Sequence, residues 1–340
     1  MRTSIGLDIG SHKIKLVELA PERGGFRLVA VGTIPTPPKS LSSNLSADID
    51  AVGISIKKLL RDSGATSRSV TLSFPESLVF TRVIEVPALS QRELTSAIKW
   101  EAEQYIPLPL DQVNVDFTVL RDSKETGTNK MEVLLVAAPR ALVEKYMAIA
   151  ESAEVTVVSA ETEIIASARA LARTMGNVRS AMIVSLGAQT TDLAIIRSGI
   201  LAYTRSISAG GEALSRALSQ GLGFEMMQAE EFKRAYGLEK DKLQGKIVSA
   251  IAPIMDTIVG EIKRAVSYFG EKYKDERIET VFLSGGTARL PGMIVYMAEH
   301  IGIEAQLANP WLGIAKDPRF ASVEADGPSF TVAIGLALRS

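Results

Sequence analysis

Apolar and polar residues alternate along three stretches near the start of the chain, at 4–9, 13–20 and 26–34. A period of two is typical of β-strands, and the short turns between the stretches predict an antiparallel meander. A helix with one apolar face follows at 48–63, and the next strand is predicted at 69–75. A second meander begins near residue 181, with predicted strands at 182–186, 192–197 and 200–206. The pattern therefore predicts two α/β halves that repeat one hairpin arrangement.

The stretch 79–159 interrupts this rhythm and predicts a small inserted α/β module. Ser90 and Glu93 have the spacing of a capping box at the start of a helix that runs to Tyr105. Two prolines within 106–110 are incompatible with a helix, so this apolar segment is predicted to be extended. The predicted units are a first lobe at 1–78 and 160–178 with a linking helix, the inserted module at 79–159, and a second lobe at 179–340 with a helical subdomain at about 212–276.

The composition narrows the classes of function. The chain of 340 residues has a formal net charge of −1 and no basic run, which argues against binding to nucleic acid. It has no cysteine, which excludes disulfides and thiol catalysis, and its two histidines are too few for a multi-histidine metal site. Because the first residues already predict a strand and no apolar run is long enough to cross a bilayer, we expect a soluble, cytoplasmic chain without direct membrane insertion.

The first glycine motif lies at 6–15, where Gly-Leu-Asp-Ile-Gly-Ser-His-Lys-Ile-Lys predicts a hairpin. Glycine at the turn permits a positive φ and a close approach of the backbone. Successive N–H groups at the tip form a concavity that suits an anion. Asp8 precedes the turn and is a candidate both for catalysis and for holding Mg²⁺ through water. An ordinary hairpin with a solvated lysine is the alternative. The candidate phosphate-binding residues are Gly10, Ser11, His12, Lys13 and Lys15.

Two further glycine motifs point to the same kind of ligand. Val-Ser-Leu-Gly-Ala-Gln-Thr-Thr-Asp-Leu at 184–193 repeats the first hairpin, with threonine hydroxyls as candidate phosphate donors. The motif at 281–292 carries a strand into two adjacent glycines, against which a purine can lie; a plain strand–turn–helix crossover is the alternative. The candidate ligand-binding residues are Gly187, Gln189, Thr190 and Thr191 in the second motif and Gly285, Gly286, Thr287 and Leu290 in the third.

A fourth cluster adds Gly210 and Gly211 at the start of a predicted helix, a position that favours phosphate. Downstream, Glu230 and Lys233 are three residues apart on a predicted helix and share one face. They are candidates for contacts with a ribose and an adenine edge. A solvated surface ion pair is the alternative.

These motifs resemble the PilM family, the cytoplasmic actin-like proteins of type IV pilus assembly, over essentially the whole chain. The resemblance is carried by the glycine motifs, by Glu85-Val86-Pro87, by Ala-Gly-Gly-Glu-Ala-Leu at 209–214 and by Trp-Glu-Ala-Glu-Gln-Tyr-Ile-Pro at 100–107. The last segment distinguishes the family from other actin-like ATPases. The resemblance implies an α/β, actin-like (ribonuclease H-like) two-lobed fold with an inserted small α/β subdomain of the FtsA/PilM type.

The same resemblance implies that ATP and Mg²⁺ bind between the lobes. It also implies a partner, the N-terminal cytoplasmic peptide of a PilN-like inner-membrane protein, which would hold the chain at the membrane; pilus motor or platform proteins are further expected partners. By this resemblance, the candidate walls of the peptide groove are Trp100, Tyr105, Ile106, Pro107 and Leu108. Packing of this segment against the module's own sheet is the alternative.

One departure from actin-like ATPases bears on hydrolysis. Their second hairpin usually carries an aspartate two residues before its glycine, where this chain has Ser185. Glu161, at the start of the predicted linking helix, is a candidate for orienting a water molecule. We therefore expect nucleotide binding with weak or absent hydrolysis. A small-molecule kinase on the same fold and a filament-forming or division protein of the FtsA or MreB type are the alternative functions.

Overall fold

The computed structural model describes residues 3–339, the side chains of residues 91 and 99 excepted, and arranges them around three β-sheets. The strands are β1 (Ser4–Ile9), β2 (Lys13–Glu22), β3 (Gly25–Pro35), β4 (Ser69–Phe74), β5 (Phe80–Pro87), β6 (Val113–Arg121), β7 (Lys130–Pro139), β8 (Thr156–Thr162), β9 (Ser180–Leu186), β10 (Thr191–Arg197), β11 (Ile200–Ile207), β12 (Thr280–Ser284), β13 (Glu304–Leu307) and β14 (Ile314–Ala315). The helices are α1 (Ser46–Asp62), α2 (Gln91–Tyr105), α3 (Ser123–Thr126), α4 (Arg140–Ser152), α5 (Glu163–Met175), α6 (Gly211–Leu222), α7 (Met226–Tyr236), α8 (Lys246–Lys272), α9 (Met293–Ile301) and α10 (Gly327–Ala337).

The first lobe is built on a six-stranded sheet with the order β14-β3-β2-β1-β4-β8. Strands β1, β2 and β3 form the predicted antiparallel meander, and β4 runs parallel to β1. Ile5, Leu7 and Ile14 are almost completely buried on one face of this sheet. Helix α1 covers this side of the sheet through Val52, Ile56 and its neighbours.

The second lobe repeats that topology in a five-stranded sheet with the order β11-β10-β9-β12-β13. Strands β9, β10 and β11 form the second meander, and β12 runs parallel to β9 as β4 does to β1. Helix α8 buries an apolar stripe against this lobe, because its isoleucines and methionine recur every three or four residues. The buried members of the stripe are Ile247, Ile251, Met255, Ile258 and Ile262.

The inserted subdomain is a three-stranded antiparallel sheet, β5-β7-β6, with α2 on one face. Its opposite face contributes Val83 and Leu134 to a cluster that includes Ile183 of the second lobe. The predicted capping box is present: the Ser90 N–H donates to Glu93 Oε2 at 2.9 Å, and the Glu93 N–H donates to Ser90 Oγ at 3.4 Å. The subdomain therefore lies against the second lobe while its chain ends join the first.

The predicted end of the inserted module at residue 159 is wrong. Strand β8 pairs in parallel with β4 in the first lobe's sheet, and Tyr146 and Ile149 of α4 lie in the first lobe's core. The insertion therefore ends at Pro139. The linking helix also begins later than predicted, at Glu163, because β8 continues through Thr162.

The predicted extent of the second lobe, 179–340, also needs correction, because the chain returns to the first lobe near its end. Strand β14 pairs with β3, and α10 packs on β1 and α5. Two glycines permit this close packing: a Cβ on Gly6 would lie 1.9 Å from the Ala333 carbonyl oxygen, and one on Gly335 would lie 1.8 Å from that of Ala166. Among the helices of residues 3–339, none combines the length and apolar character needed to cross a membrane.

Candidate functional site

Two glycine hairpins of the same local geometry face the boundary between the lobes. A Cβ on Gly10, between β1 and β2, would lie 2.9 Å from the Lys13 carbonyl oxygen, and one on Gly187, between β9 and β10, would lie 2.9 Å from that of Thr190. Neither glycine has a positive φ. Of the two properties that glycine offers at this turn, the close approach of the chain to itself is therefore the one that requires glycine at Gly10.

The first hairpin holds a buried ion pair at its base. Asp8 and Lys15 are opposite residues of β1 and β2, and Lys15 Nζ donates to Asp8 Oδ2 at 2.8 Å. Thr36 braces the turn, since its Oγ1 donates to the Gly10 carbonyl at 2.6 Å and its N–H donates to the His12 carbonyl at 3.0 Å. Within the described part of the chain the Ser11 hydroxyl has no such partner, so it remains available to a ligand.

The second hairpin uses its threonines differently from the prediction. Thr191 is fully buried, and its Oγ1 donates to the Ala209 carbonyl at 2.7 Å. Thr191 therefore fixes the approach to α6, and the prediction that it donates to a phosphate is wrong. Thr190 Oγ1 donates to Asp192 Oδ2 at 3.1 Å, and Gln189 is exposed at the tip.

A carboxylate lies directly opposite the serine that breaks the ATPase pattern. Ser185 of β9 and Asp192 of β10 are partners in the antiparallel register, so their side chains share one face of the sheet. Asp192 is buried, accepts hydrogen bonds from Thr190 and Ser206, and has its pKa raised to about 6 by burial, against those two hydrogen bonds. The second hairpin thus carries an acid on its returning strand, opposite Ser185.

In the third motif, most of the predicted ligand-binding residues are packed against the protein, and free space lies beside Gly286. Gly285 has a φ of 85°, and a Cβ there would lie 2.4 Å from the Leu186 carbonyl oxygen. A Cβ on Gly286 would meet nothing closer than Ser329 Oγ at 3.9 Å, so the space beside it is free. Thr287 Oγ1 donates to the Gly187 carbonyl at 3.0 Å, and Leu290 is buried in the second lobe's core. Thr287 and Leu290 therefore hold the motif in place instead of lining the predicted purine site.

The start of α6 is tied to the same carbonyl group. The Gly211 N–H donates to the Gly187 carbonyl at 2.9 Å, and a Cβ on Gly211 would lie 2.5 Å from Thr287 Oγ1. A Cβ on Gly210 would lie 2.7 Å from the Ala188 carbonyl oxygen. The second, third and fourth glycine motifs therefore meet around Gly187.

The buried Lys233 and the partly exposed Glu230 support α6. Lys233 Nζ donates to the Gly211 carbonyl at 2.8 Å, to Ser215 Oγ at 2.8 Å and to Glu230 Oε2 at 2.6 Å. An ammonium group has three protons, so all of its donors are engaged. Burial opposes ionisation of Glu230, but hydrogen bonds from Lys233 and Ser215 lower the pKa of its carboxyl to about 2. The pair therefore positions the glycine motif, and its predicted contacts with ribose and adenine would require this network to rearrange.

Glu161 does not occupy the predicted water-orienting position. Its carboxylate is bound by Arg169, with Nη2 at 2.7 Å from Oε2, and by Arg339, with Nη1 at 2.8 Å from Oε2. Glu163, the first residue of α5, instead lies near the acids of both hairpins. Its carboxyl group is enclosed by protein although the residue keeps some exposed surface; burial and the charges of Asp8 and Asp192 raise its pKa well above the usual range, while Lys15 opposes them. The sequence prediction missed Glu163 because it placed the start of the linking helix too early in the chain.

The two lobes touch at the tips of these motifs. His12 Nδ1 of the first hairpin lies 3.6 Å from Glu212 Oε1 in the first turn of α6. Both side chains are partly exposed, so a dissolved ion can reach either of them and displace the other. An anion bound at the first hairpin would compete with Glu212 for His12.

The proposed peptide-binding residues divide between the core and the surface of the inserted subdomain. Trp100 is 73% exposed and Leu108 is 43% exposed, whereas Ile106 is 6% exposed and lies in the subdomain's core. Tyr105 is half-buried, with the Arg82 guanidinium 4.8 Å from its ring centroid, and Pro107 is exposed. Ile106 is therefore not an exposed wall of a groove, and the packing alternative holds for it.

Two cavities adjoin the inserted subdomain. One of about 440 Å³ lies beside Trp100 and is also lined by Leu89, Arg92 and Ala97. The other, of about 720 Å³, lies between the subdomain and the second lobe, with Met131 on one side and Tyr273 on the other. The subdomain therefore offers concave surface both at α2 and along its border with the second lobe.

Comparison with known proteins gives one match to a family over nearly the whole chain. A family model described as "Type IV pilus assembly protein PilM" matches residues 6–340. The chain is 29% identical to a chain of the solved PilM–PilN type IV pilus biogenesis complex, with a TM-score of 0.88 and coverage of 99% of this chain and 98% of that one.

More distant relatives share the fold. The chain is 23% identical to the cell division protein FtsA of Streptococcus pneumoniae serotype 2 (strain D39 / NCTC 7466), covering 94% of this chain and 78% of FtsA. The solved MreB5 of Spiroplasma citri bound to AMPPNP is 14% identical, with a TM-score of 0.54 and coverage of 99% of this chain and 96% of that one. The predicted actin-like fold is confirmed by these matches.

Proposed function

This chain belongs to the family of type IV pilus assembly protein PilM, and on that premise we propose that it is a cytoplasmic, ATP-binding scaffold of the pilus machinery. In this proposal its partner is the N-terminal cytoplasmic peptide of a PilN-like inner-membrane protein, which holds the chain at the membrane. The solved PilM–PilN complex of similar fold supports this choice of partner. The nucleotide occupies the cleft between the lobes, and the peptide binds the inserted subdomain.

One observation carries the nucleotide proposal: three glycine motifs from distant parts of the chain converge on Gly187, beside an open surface at Gly286. The Gly187 carbonyl accepts hydrogen bonds from Gly211 and Thr287, which locks the motifs together. Gly286, in contrast, has free space where its side chain would be. A rigid frame around an uncovered glycine is what a flat base needs for close contact. MreB5 of the same fold binds AMPPNP.

The residues present fit ATP with Mg²⁺. The tip of the first hairpin offers the unpaired Ser11 hydroxyl and the exposed Lys13 to phosphates, and Asp8 can hold the cation through water. Within residues 3–339, no group of three or more acidic or histidine side chains is arranged as a metal cage. Mg²⁺ at nucleotide sites commonly takes only one or two carboxylates together with phosphate oxygens and water. When bound, Mg²⁺ would offset the negative charge of the phosphates.

Calorimetric titration tests this proposal. We expect ATP to bind with a stoichiometry of about one per chain, and more weakly when Mg²⁺ is removed by chelation, because the phosphates then face Asp8 without a cation between them. Absence of measurable binding in both conditions would contradict the proposal.

Hydrolysis should be slow in the wild-type chain, because Ser185 supplies no carboxylate on β9 to position the attacking water. We expect phosphate release far below the median turnover of enzymes, about 10 s⁻¹. Ser185→Asp should raise that rate, although its charge would face Asp192 across the hairpin. A phosphate-release assay with saturating Mg·ATP measures both proteins.

Ser185→Asn is the matched control for Ser185→Asp, because the asparagine side chain is nearly the same size as that of aspartate but carries no charge. It should hydrolyse ATP no faster than the wild-type chain. Turnover by the wild-type chain in the ordinary enzyme range would overturn this account of Ser185. An equal gain in both variants would show that the carboxylate is not the limiting group.

A further inference from the structure

Glu76 lies where the two lobes and the inserted subdomain meet. It follows β4 in a short 3₁₀ turn, Glu76–Leu78, and is 5% exposed. Three threonine hydroxyls act to lower the pKa of its carboxyl group, and they come from different parts of the molecule: Thr162 at the end of β8 in the first lobe, Thr81 on β5 of the inserted subdomain and Thr204 on β11 of the second lobe. The turn that carries this buried acid packs against β5 of the inserted subdomain and β11 of the second lobe, so Glu76 lies at the meeting point of all three parts.

The polar groups at this junction are incompletely satisfied. Among the described residues, Glu76 Oε2 and the hydroxyls of Thr81 and Thr162 are buried without a hydrogen bond of good geometry. The Thr204 hydroxyl instead donates to the Thr81 carbonyl at 3.1 Å, which joins the second lobe to the subdomain. Native structures rarely leave buried polar groups unpaired, and one explanation for those that remain is stored strain. The junction therefore has a reason to adopt a second arrangement.

The charges around Glu76 belong to opposite lobes. Asp192 of β10 in the second lobe acts on it directly, and burial together with this charge raises the pKa of Glu76 to about 7, against the three threonine hydroxyls. Glu163 of α5 lies near the Glu76 backbone, and the charges of Asp8 of β1 and Lys15 of β2 act on it as well. Since the pKa of Asp192 is about 6, Asp192 loses its proton before Glu76 does, and both acids are largely charged by pH 8.

We propose that Glu76 is a proton-controlled latch between the lobes: its neutral carboxyl permits the arrangement described here, and loss of its proton drives the lobes apart. Two buried carboxylates on facing lobes repel strongly because little water screens them. An ionised Glu76 also accepts hydrogen bonds from hydroxyls that are unpaired here, so the second arrangement gains contacts as it relieves repulsion. The latch requires no nucleotide and is independent of the proposed ATP site.

A distance measurement without nucleotide tests the latch. The chain has no cysteine, so Ile54→Cys on α1 and Gln220→Cys on α6, both exposed, give a clean pair of fluorophore sites on the two lobes. We expect energy transfer between the fluorophores to fall as pH rises from 6 to 8. In the Glu76→Gln background it should stay constant. A pH response that is the same in both backgrounds, or absent in the wild-type background, overturns the proposal.

Glu18→Gln is the matched control, because Glu18 is also a fully buried acid but binds Thr66 and Ser67 inside the first lobe. It should keep the wild-type pH response; loss of the response in this variant would also contradict the proposal. Thr81→Val gives a second test if Glu76→Gln does not fold, since it removes a hydroxyl that has no other partner. It should move the midpoint of the transition to higher pH, and an unchanged midpoint overturns the latch.

Thermal stability gives an independent readout of the same proton. Glu76 has an ordinary pKa of 4.5 and a folded-state pKa of about 7, so the folded chain keeps this proton longer than the unfolded chain. Its contribution to stability is then complete below pH 4.5 and is lost as pH rises to about 7. The melting temperature of the wild-type chain, relative to that of Glu76→Gln, should therefore fall between pH 5 and 8. A difference that stays constant over this range contradicts the assignment.

Discussion

Gly286→Val should reduce the affinity for ATP by about 100-fold or more, equivalent to about 2.8 kcal/mol of binding free energy. The isopropyl group would occupy the space that the proposed purine needs, so the base could no longer approach the backbone. The fold itself should tolerate the change, because a Cβ at Gly286 meets no atom closer than 3.9 Å and the residue has an ordinary helical φ of −68°. Calorimetric titration with Mg·ATP measures the effect.

Gly270→Val is the matched control for this experiment. Gly270 lies on the exposed side of α8, away from the glycine motifs, and a Cβ there would meet nothing within 4 Å. This variant should bind ATP as the wild-type chain does. Gly285 is unsuitable for the test, because its left-handed φ and tight packing would disturb the fold. Unchanged affinity in Gly286→Val, with the melting temperature retained, would show that the base lies elsewhere.

Replacing Trp100 by alanine together with Leu108 by aspartate should abolish binding of the partner peptide while leaving ATP affinity unchanged. Both side chains are exposed on the inserted subdomain, and large exposed apolar groups near a cavity suit a peptide ligand. Fluorescence anisotropy with a labelled N-terminal peptide of a PilN-like protein measures this. Because the contacts are mainly apolar, the wild-type affinity should change little between low and high salt.

Ile106→Asp separates binding from folding. Ile106 is buried among Ile84, Leu94 and Val133, so an aspartate there should destabilise the subdomain by at least about 3 kcal/mol through lost packing and a buried charge. We expect a lower melting temperature in this variant and an unchanged one in the surface double variant. Retained peptide binding in the surface double variant would move the groove elsewhere, for instance to the cavity beside Tyr273.

Local patterns predicted the strands and hairpins well because each depends on neighbours in sequence. The alternation of Ile5, Leu7 and Ile9 reads directly as a strand, and the glycine turns follow from the short distance between paired strands. The repeated topology of the lobes could be predicted for the same reason. The Ser90–Glu93 capping box likewise depends only on residues three apart.

The errors concern contacts between distant parts of the chain. No local pattern shows that β8 pairs with β4, or that β14 and α10 return to the first lobe, since register across long separations is set by packing. The prediction that Glu161 lies at the start of the linking helix was wrong because β8 extends further than predicted. The first residue of that helix is Glu163. Ile106 and Thr191 are residue types that often contact ligands, but both side chains are buried. Their burial depends on the whole fold, so the local sequence does not show it.

The claim that nucleotide binds the convergent glycine motifs between the lobes can be tested by amide hydrogen exchange with and without Mg·ATP. Bound nucleotide should slow exchange together at residues 10–13, 187–190 and 285–287, because these tips belong to different segments that only a shared ligand would cover at once. Peptides from the inserted subdomain's helix α2 should exchange at the same rate in both conditions. Protection confined to one of the three motifs, or found only outside them, would contradict the claim.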